Sequence, residues 1–88
     1  MTALAAALGR EADARMLIVT CDELGVTHSH NLGVYGSLRQ GMATSAGLVV
    51  PGPWAREAAA RYRGEDVGVH LTLNAEYDLL RWETSKPQ

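Results

Sequence analysis

The sequence predicts an α/β fold built on parallel strands, in a βαβαβ order. Three observations carry this reading. Apolar runs alternate with segments of helical period, the connections between them are short, and the strand-like runs lack the in–out alternation of a sheet with one wet face. Runs that are apolar on both faces belong to strands covered by helices. Their regular alternation with helices implies parallel strands joined by right-handed crossovers. Three such strands make part of a barrel or of an open sheet, and they leave two apolar edges and a face to be covered.

The elements follow in order. Thr2 to Gly9 reads as a short helix, with Thr2 able to cap it and Gly9 able to take the left-handed conformation that ends it. The first strand is expected over Met16–Cys21, within the run Met-Leu-Ile-Val-Thr-Cys. Gly25 breaks the pattern, Thr27 or Ser29 is placed to cap a helix, and Leu32, Val34, Tyr35 and Leu38 give helical spacing over Asn31–Gln40. Gly41 stops that helix. A second strand is expected over Ser45–Val49, closed by Pro51-Gly52. A third helix, over Trp54–Tyr62, follows Pro53, which a first helical turn tolerates. The third strand, Val67–Leu71, contains His70, and after Leu73 the pattern fades.

Composition excludes several classes. The 88-residue chain is 47% hydrophobic and 20% charged with a net charge of −2, and its arginines are scattered among acids. A nucleic-acid partner would require a clustered basic face. The longest apolar run after the first strand, Ala46 to Val50, falls far short of the ~20 residues of a membrane span. Thr2 to Leu8 lacks the basic start and long apolar centre of a targeting signal. The single cysteine, Cys21, permits no internal disulfide. These features point to a cytoplasmic protein with no nucleic-acid or membrane partner.

In parallel βα architectures chemistry gathers at the carboxyl ends of the strands. The first strand runs into Asp22-Glu23-Leu24-Gly25. Adjacent ionised carboxylates there repel one another and lose solvation. A divalent cation resolves both problems: one carboxylate binds it, and the other acts as a base on bound water. The structural alternative is that both acids cap the following turn and face solvent.

His70 lies in an apolar setting between Val69 and Leu71. A lone histidine there is either a satisfied core residue or a ligand, and its nearness to the same sheet edge favours ligand. Carboxylate with imidazole suits Zn²⁺, Mn²⁺ or Fe²⁺, and Mg²⁺ less naturally. His28 and His30 read as loop or helix-start residues, one of which can line a substrate mouth. Thr44-Ser45, at the opposite edge, reads as structural, and Trp54 is either a lid over the core or a sugar-stacking platform. Cys21 reads as a buried strand residue, and no glycine-rich phosphate loop is present.

Leu17-Ile-Val-Thr-Cys-Asp22-Glu23-Leu-Gly25 resembles the opening strand of YdjC/ChbG-type carbohydrate deacetylases. Asn31-Leu-Gly33-Val34, Gly41-Met-Ala-Thr44-Ser45, Val49-Val-Pro-Gly52 and Gly68-Val-His70-Leu-Thr-Leu73 follow in that family's order. The similarity covers about residues 15–77 and leaves the tail 83–88 divergent. The resemblance implies the N-terminal part of a single (β/α) barrel-like deacetylase domain, incomplete in this chain. It implies a divalent metal ion, Mg²⁺ in the family with Zn²⁺ or another transition metal as the alternative, and an acetylated carbohydrate substrate. By position, Asp22 matches the catalytic base, and Glu23 and His70 match metal ligands. Glu23 stands where aspartate is usual, with one methylene more reach. The family's further metal histidine has no counterpart here, so the chain by itself is expected to be inactive. The contrasting expectation is a non-catalytic βα module that associates with a partner, or forms a homo-oligomer, through its open edge.

Overall fold

The computed structural model describes residues 2–75, 77 and 82. It contains α1 (Thr2–Ala7), β1 (Thr20–Leu24), α2 (His28–Gln40), β2 (Ser45–Leu48), α3 (Ala55–Arg61) and β3 (Val67–Val69). The strands form one parallel sheet in the order β1-β2-β3. The α/β class and the parallel βαβαβ order are therefore as the sequence predicts. The cap expected of the Thr2 side chain and the divergent tail 83–88 lie outside the described residues.

Strand order that follows chain order, with right-handed crossovers, puts α2 and α3 on the same face of the sheet. The two helices meet there, where the Tyr35 hydroxyl donates to the Ala58 carbonyl at 2.6 Å. Between them and the sheet lie Leu24, Val34, Tyr35, Ala46 and Ala58, all buried, with Cys21, Leu38, Leu48 and Val67 packed around them. Leu32, part of the expected helical stripe, instead faces outward. Burial of Leu24, which is fully enclosed, is worth about 1.5–3 kcal/mol relative to exposure.

The other face has no helix over it among the described residues. It carries small and polar side chains, and the hydroxyls of Thr20 and Ser45 lie 3.0 Å apart across β1 and β2. Coverage on both faces, the basis for reading the first strand over Met16–Cys21, is thus not what the described residues show. Leu17 and Ile18 are 75% and 77% exposed. The ladder begins only where Val19 meets Thr44: the Val19 carbonyl accepts from the Thr44 and Ser45 amides at 2.8 and 3.3 Å. β1 then continues through Asp22 and Glu23, which the sequence places beyond the strand.

The helix boundaries follow from their caps. Thr27, in extended conformation, accepts from the His30 amide at 3.0 Å, so α2 begins at His28, three residues earlier than expected. The His30 ring stands against the same hydroxyl, its Nδ1 lying 2.8 Å from the Thr27 oxygen. The Gly41 amide returns to the Ser37 carbonyl and closes the helix. Arg39, in the last turn of α2, reaches Glu65 at 2.5 Å and the Arg61 carbonyl at 2.5 Å, tying α2 to the end of α3 and the approach to β3. Its guanidinium also lies 4.5 Å from the Tyr35 ring centre. No helix of the described residues is long and apolar enough to cross a membrane.

Candidate functional site

Asp22 and Glu23 occupy a break in the β1–β2 register. Cys21 pairs with Ala46 and Leu24 with Leu48, so three steps along β1 face two along β2. A bulge of this kind bends a strand and re-aims its side chains. At its end, Gly25 has φ of +96°, a conformation that other residues rarely adopt. The chain turns sharply there, and the two carboxylates are left at the carboxyl edge of the sheet.

β3 ends one residue before His70, whose amide still donates to the Leu48 carbonyl at 2.9 Å. The ring folds back over β2, where a glycine leaves it room. A Cβ on Gly47 would lie 3.3 Å from the His70 Cβ and 3.7 Å from its Nδ1. The ring thereby spans the middle strand, and its Nδ1 lies 2.9 Å from the backbone carbonyl oxygen of Asp22. A carbonyl only accepts, so Nδ1 carries the proton and the neutral ring keeps its lone pair on Nε2. This is how metal-binding histidines are commonly oriented.

The side chains of the two acids lie on either side of that ring. Glu23 and His70 line a hollow of about 310 Å³ with Asn74, Tyr77 and Trp82. Asp22 shares with His70 a second, shallower hollow beside Thr20, Gly47 and Gly68. Glu23 is half-buried and accepts a hydrogen bond from the Tyr77 hydroxyl, whereas Asp22 and His70 are exposed. Tyr77 and Trp82 stand with ring centres 6.3 Å apart, and the Trp82 Nε1 is buried with no hydrogen-bond partner among the described residues.

As for a metal, Glu23 and His70 offer an oxygen and a nitrogen on one hollow, a donor pair that fits part of a divalent-ion shell. Among the described residues no three His, Cys, Asp or Glu side chains form a metal-holding group.

The structure adds residues that sequence reasoning did not single out. Asn31, fully buried, accepts from the Gly25 amide at 2.7 Å and donates to the Trp54 carbonyl at 3.0 Å. Glu57 takes His28 Nδ1 at 2.8 and 2.9 Å and Arg61 Nε at 3.1 Å. Partial burial pushes the Glu57 carboxyl upward, but the His28 and Asn31 hydrogen bonds, the His28 charge and Arg61 together hold it below the usual carboxylate range. Trp54 precedes α3 rather than lying within it and is 41% exposed, so it is not a lid over the core. Thr44 ties the start of β2 to Val19, and Cys21 is half-buried against the core.

The parallel βα scaffold, with two carboxylates and an oriented imidazole at its carboxyl edge, defines the chain as an α/β protein of the partial βα class. Comparison with known proteins narrows this. Residues 16–87 match the YdjC-like protein family, and the chain belongs to that family. It is 44% identical over 63 residues to a carbohydrate deacetylase of Thermus thermophilus, covering 72% of this chain and 21% of that protein. It is 34% identical over 62 residues to a chitooligosaccharide deacetylase of Serratia marcescens, covering 67% of this chain and 24% of that protein. The chain thus spans less than a quarter of the length of these curated relatives. No solved structure gives a significant match.

Proposed function

We propose that this chain is the N-terminal part of a metal-dependent hydrolase that removes acetyl groups from N-acetylated sugars. The observation that carries the proposal is the His70 ring held through Nδ1 by the Asp22 carbonyl, with His70 and Glu23 lining one hollow. The names of the relatives support the substrate class.

Glu23 and His70 would hold the ion, Mg²⁺ by resemblance, with Zn²⁺ or another transition metal also suited to an oxygen–nitrogen pair. When bound, such an ion polarises an acetamide carbonyl and lowers the pKa of water. Asp22, exposed on the other side of the His70 ring, takes the proton from the attacking water as general base. The Tyr77 hydroxyl fixes the Glu23 carboxylate. A catalytic ion usually needs about three protein ligands. Among the described residues Glu23 and His70 supply two, so a third is expected from the part of the relatives' length that this chain does not span, with activity expected only in the longer protein. A cytoplasmic setting accords with the single cysteine.

The test is hydrolysis of N-acetylated chito-oligosaccharides alongside metal titration, for this chain and for a version extended to the relatives' length. Metal-dependent acetate release by the extended form alone supports the proposal; none from either form overturns it.

A second reading draws on Leu17, Ile18, Leu71 and Leu73, all at least 75% exposed. Apolar edges of this kind suit a non-catalytic module that joins a partner or forms a homo-oligomer. A concentration-dependent mass for this chain in sedimentation, with an inactive extended form, would favour it.

A further inference from the structure

A second group of side chains gathers at the carboxyl edge, away from the Glu23–His70 hollow. Its support is unusually rigid. The turn after β2 presses against the turn after β1 so closely that a Cβ on Gly52 would lie 2.3 Å from the Gly25 carbonyl oxygen. The Trp54 amide donates to that same oxygen at 2.9 Å, and Asn31 Nδ2 donates to the Trp54 carbonyl at 3.0 Å. The Trp54 backbone is pinned on both sides, yet its residue surface stays 41% exposed.

Beside it stands His28, its side chain 45% exposed and its ring centre 5.6 Å from that of Trp54 at an angle of 49°. Both Glu57 oxygens lie within 2.9 Å of its Nδ1, so that nitrogen carries a proton. Among the described residues Nε2 has no hydrogen bond. The result is an apolar aromatic face adjoining one oriented polar ring atom, both open to solvent.

We propose that Trp54 and His28 form a pyranose-binding subsite. The indole takes the C–H face of a sugar ring, and His28 Nε2 bonds a hydroxyl on its rim. A pyranose has both an apolar face and a hydroxyl edge. The 49° tilt offers no parallel slot for a flat heterocycle. The Glu57 carboxylate disfavours an anionic ligand, and the nearby Arg61 is already committed to Glu57. The choice of ligand class rests on the deacetylase reading, while the shape and charge of the subsite do not.

The test uses this 88-residue chain labelled with ¹⁵N and titrated with N,N′-diacetylchitobiose or with cellobiose, which lacks acetyl groups. Binding at the subsite moves the Trp54 indole N–H signal and the His28 ring signals with both sugars. Trp54→Ala should lower the affinity roughly tenfold. Its backbone bonds remain, so unchanged amide signals of Val34 and Ala58 would report an intact fold. His28→Phe, which keeps a flat ring but removes Nε2, should weaken binding severalfold. Shifts confined to Tyr77 and Trp82 would overturn the subsite while leaving the deacetylase reading intact. Shifts at Trp54 with both sugars, from a protein whose extended form releases no acetate, would support the subsite and sink the deacetylase reading. No shift with either sugar overturns the subsite.

Discussion

The His70 ring crosses the middle strand of the sheet to place its Nδ1 2.9 Å from the carbonyl oxygen of Asp22. The acceptor is backbone, not side chain, and this separates two roles that share one residue. In the extended protein, Asp22→Asn keeps the carbonyl and should leave metal affinity largely unchanged while removing turnover. His70→Ala should lower both together. Calorimetric metal titration and acetate release measured on the same samples check the pair. Full activity in Asp22→Asn would remove that residue from the base role.

Gly47 makes that crossing available. In Gly47→Ala the new Cβ stands 3.3 Å from the His70 Cβ, tighter than most real contacts, so the ring must give by a few tenths of an ångström and its bond to the Asp22 carbonyl should weaken. Complete loss of an orienting partner costs about 10–100-fold in metal affinity, and a fall of at most that size is expected here. The ¹⁵N shifts of the His70 ring would report the weakened Nδ1 hydrogen bond directly.

Asn31 should matter to stability more than the exposed polar side chains of the described residues. Asn31→Leu keeps the bulk but strands the Gly25 amide without a partner, while the Trp54 carbonyl keeps only the Ala58 amide. A buried unsatisfied group costs about 1–3 kcal/mol, so a loss of roughly that size is expected in urea unfolding. A loss under about 1 kcal/mol would mean that water replaces the Asn31 side chain at the Gly25 amide.

Acid should weaken the fold through Glu65. The Arg39 hydrogen bond lowers its carboxyl from the ordinary 4.5 to about 2. As pH falls the unfolded chain takes up this proton first. The contribution of Glu65 is therefore complete above pH 4.5 and disappears as the pH approaches 2. Glu65→Gln removes it and should flatten the fall in urea midpoint between about pH 6 and about pH 3. Part of the slope should survive, because the Glu57 carboxyl is also held low. An unchanged slope would assign the acid sensitivity to other groups.

The order of elements was legible because each segment's period is local: Val34, Tyr35 and Leu38 sit on one helical face whatever surrounds them. Strand limits were not local. Met16, Leu17 and Ile18 are as apolar as a buried strand, but pairing begins where Val19 meets Thr44, and apolar pattern carries no record of a partner's register. The bulge that draws Asp22 and Glu23 into β1 is hidden for the same reason. Among candidate site residues, Asp22, Glu23 and His70 could be nominated because βα topology sends strand ends to one edge. Tyr77 could not, since its bond to Glu23 spans 54 residues, nor Glu57, which is 29 residues from His28. Thr27 was readable as a cap, whereas its bond to the His30 ring was not, because histidine is not the usual partner at that position.

The Asn31 amide also has a kinetic consequence. Its two ends bind the turn after β1 and the turn before α3, and the Trp54 amide closes the circuit back to Gly25. None of these bonds can open far without straining the others. The amides of Gly25 and Trp54, 29 positions apart in sequence, should therefore exchange with deuterium at a common rate, as a single opening unit. A ligand that slows exchange at Trp54 should slow it equally at Gly25, two residues from Glu23, so occupancy at one turn would be felt as stiffness beside the other.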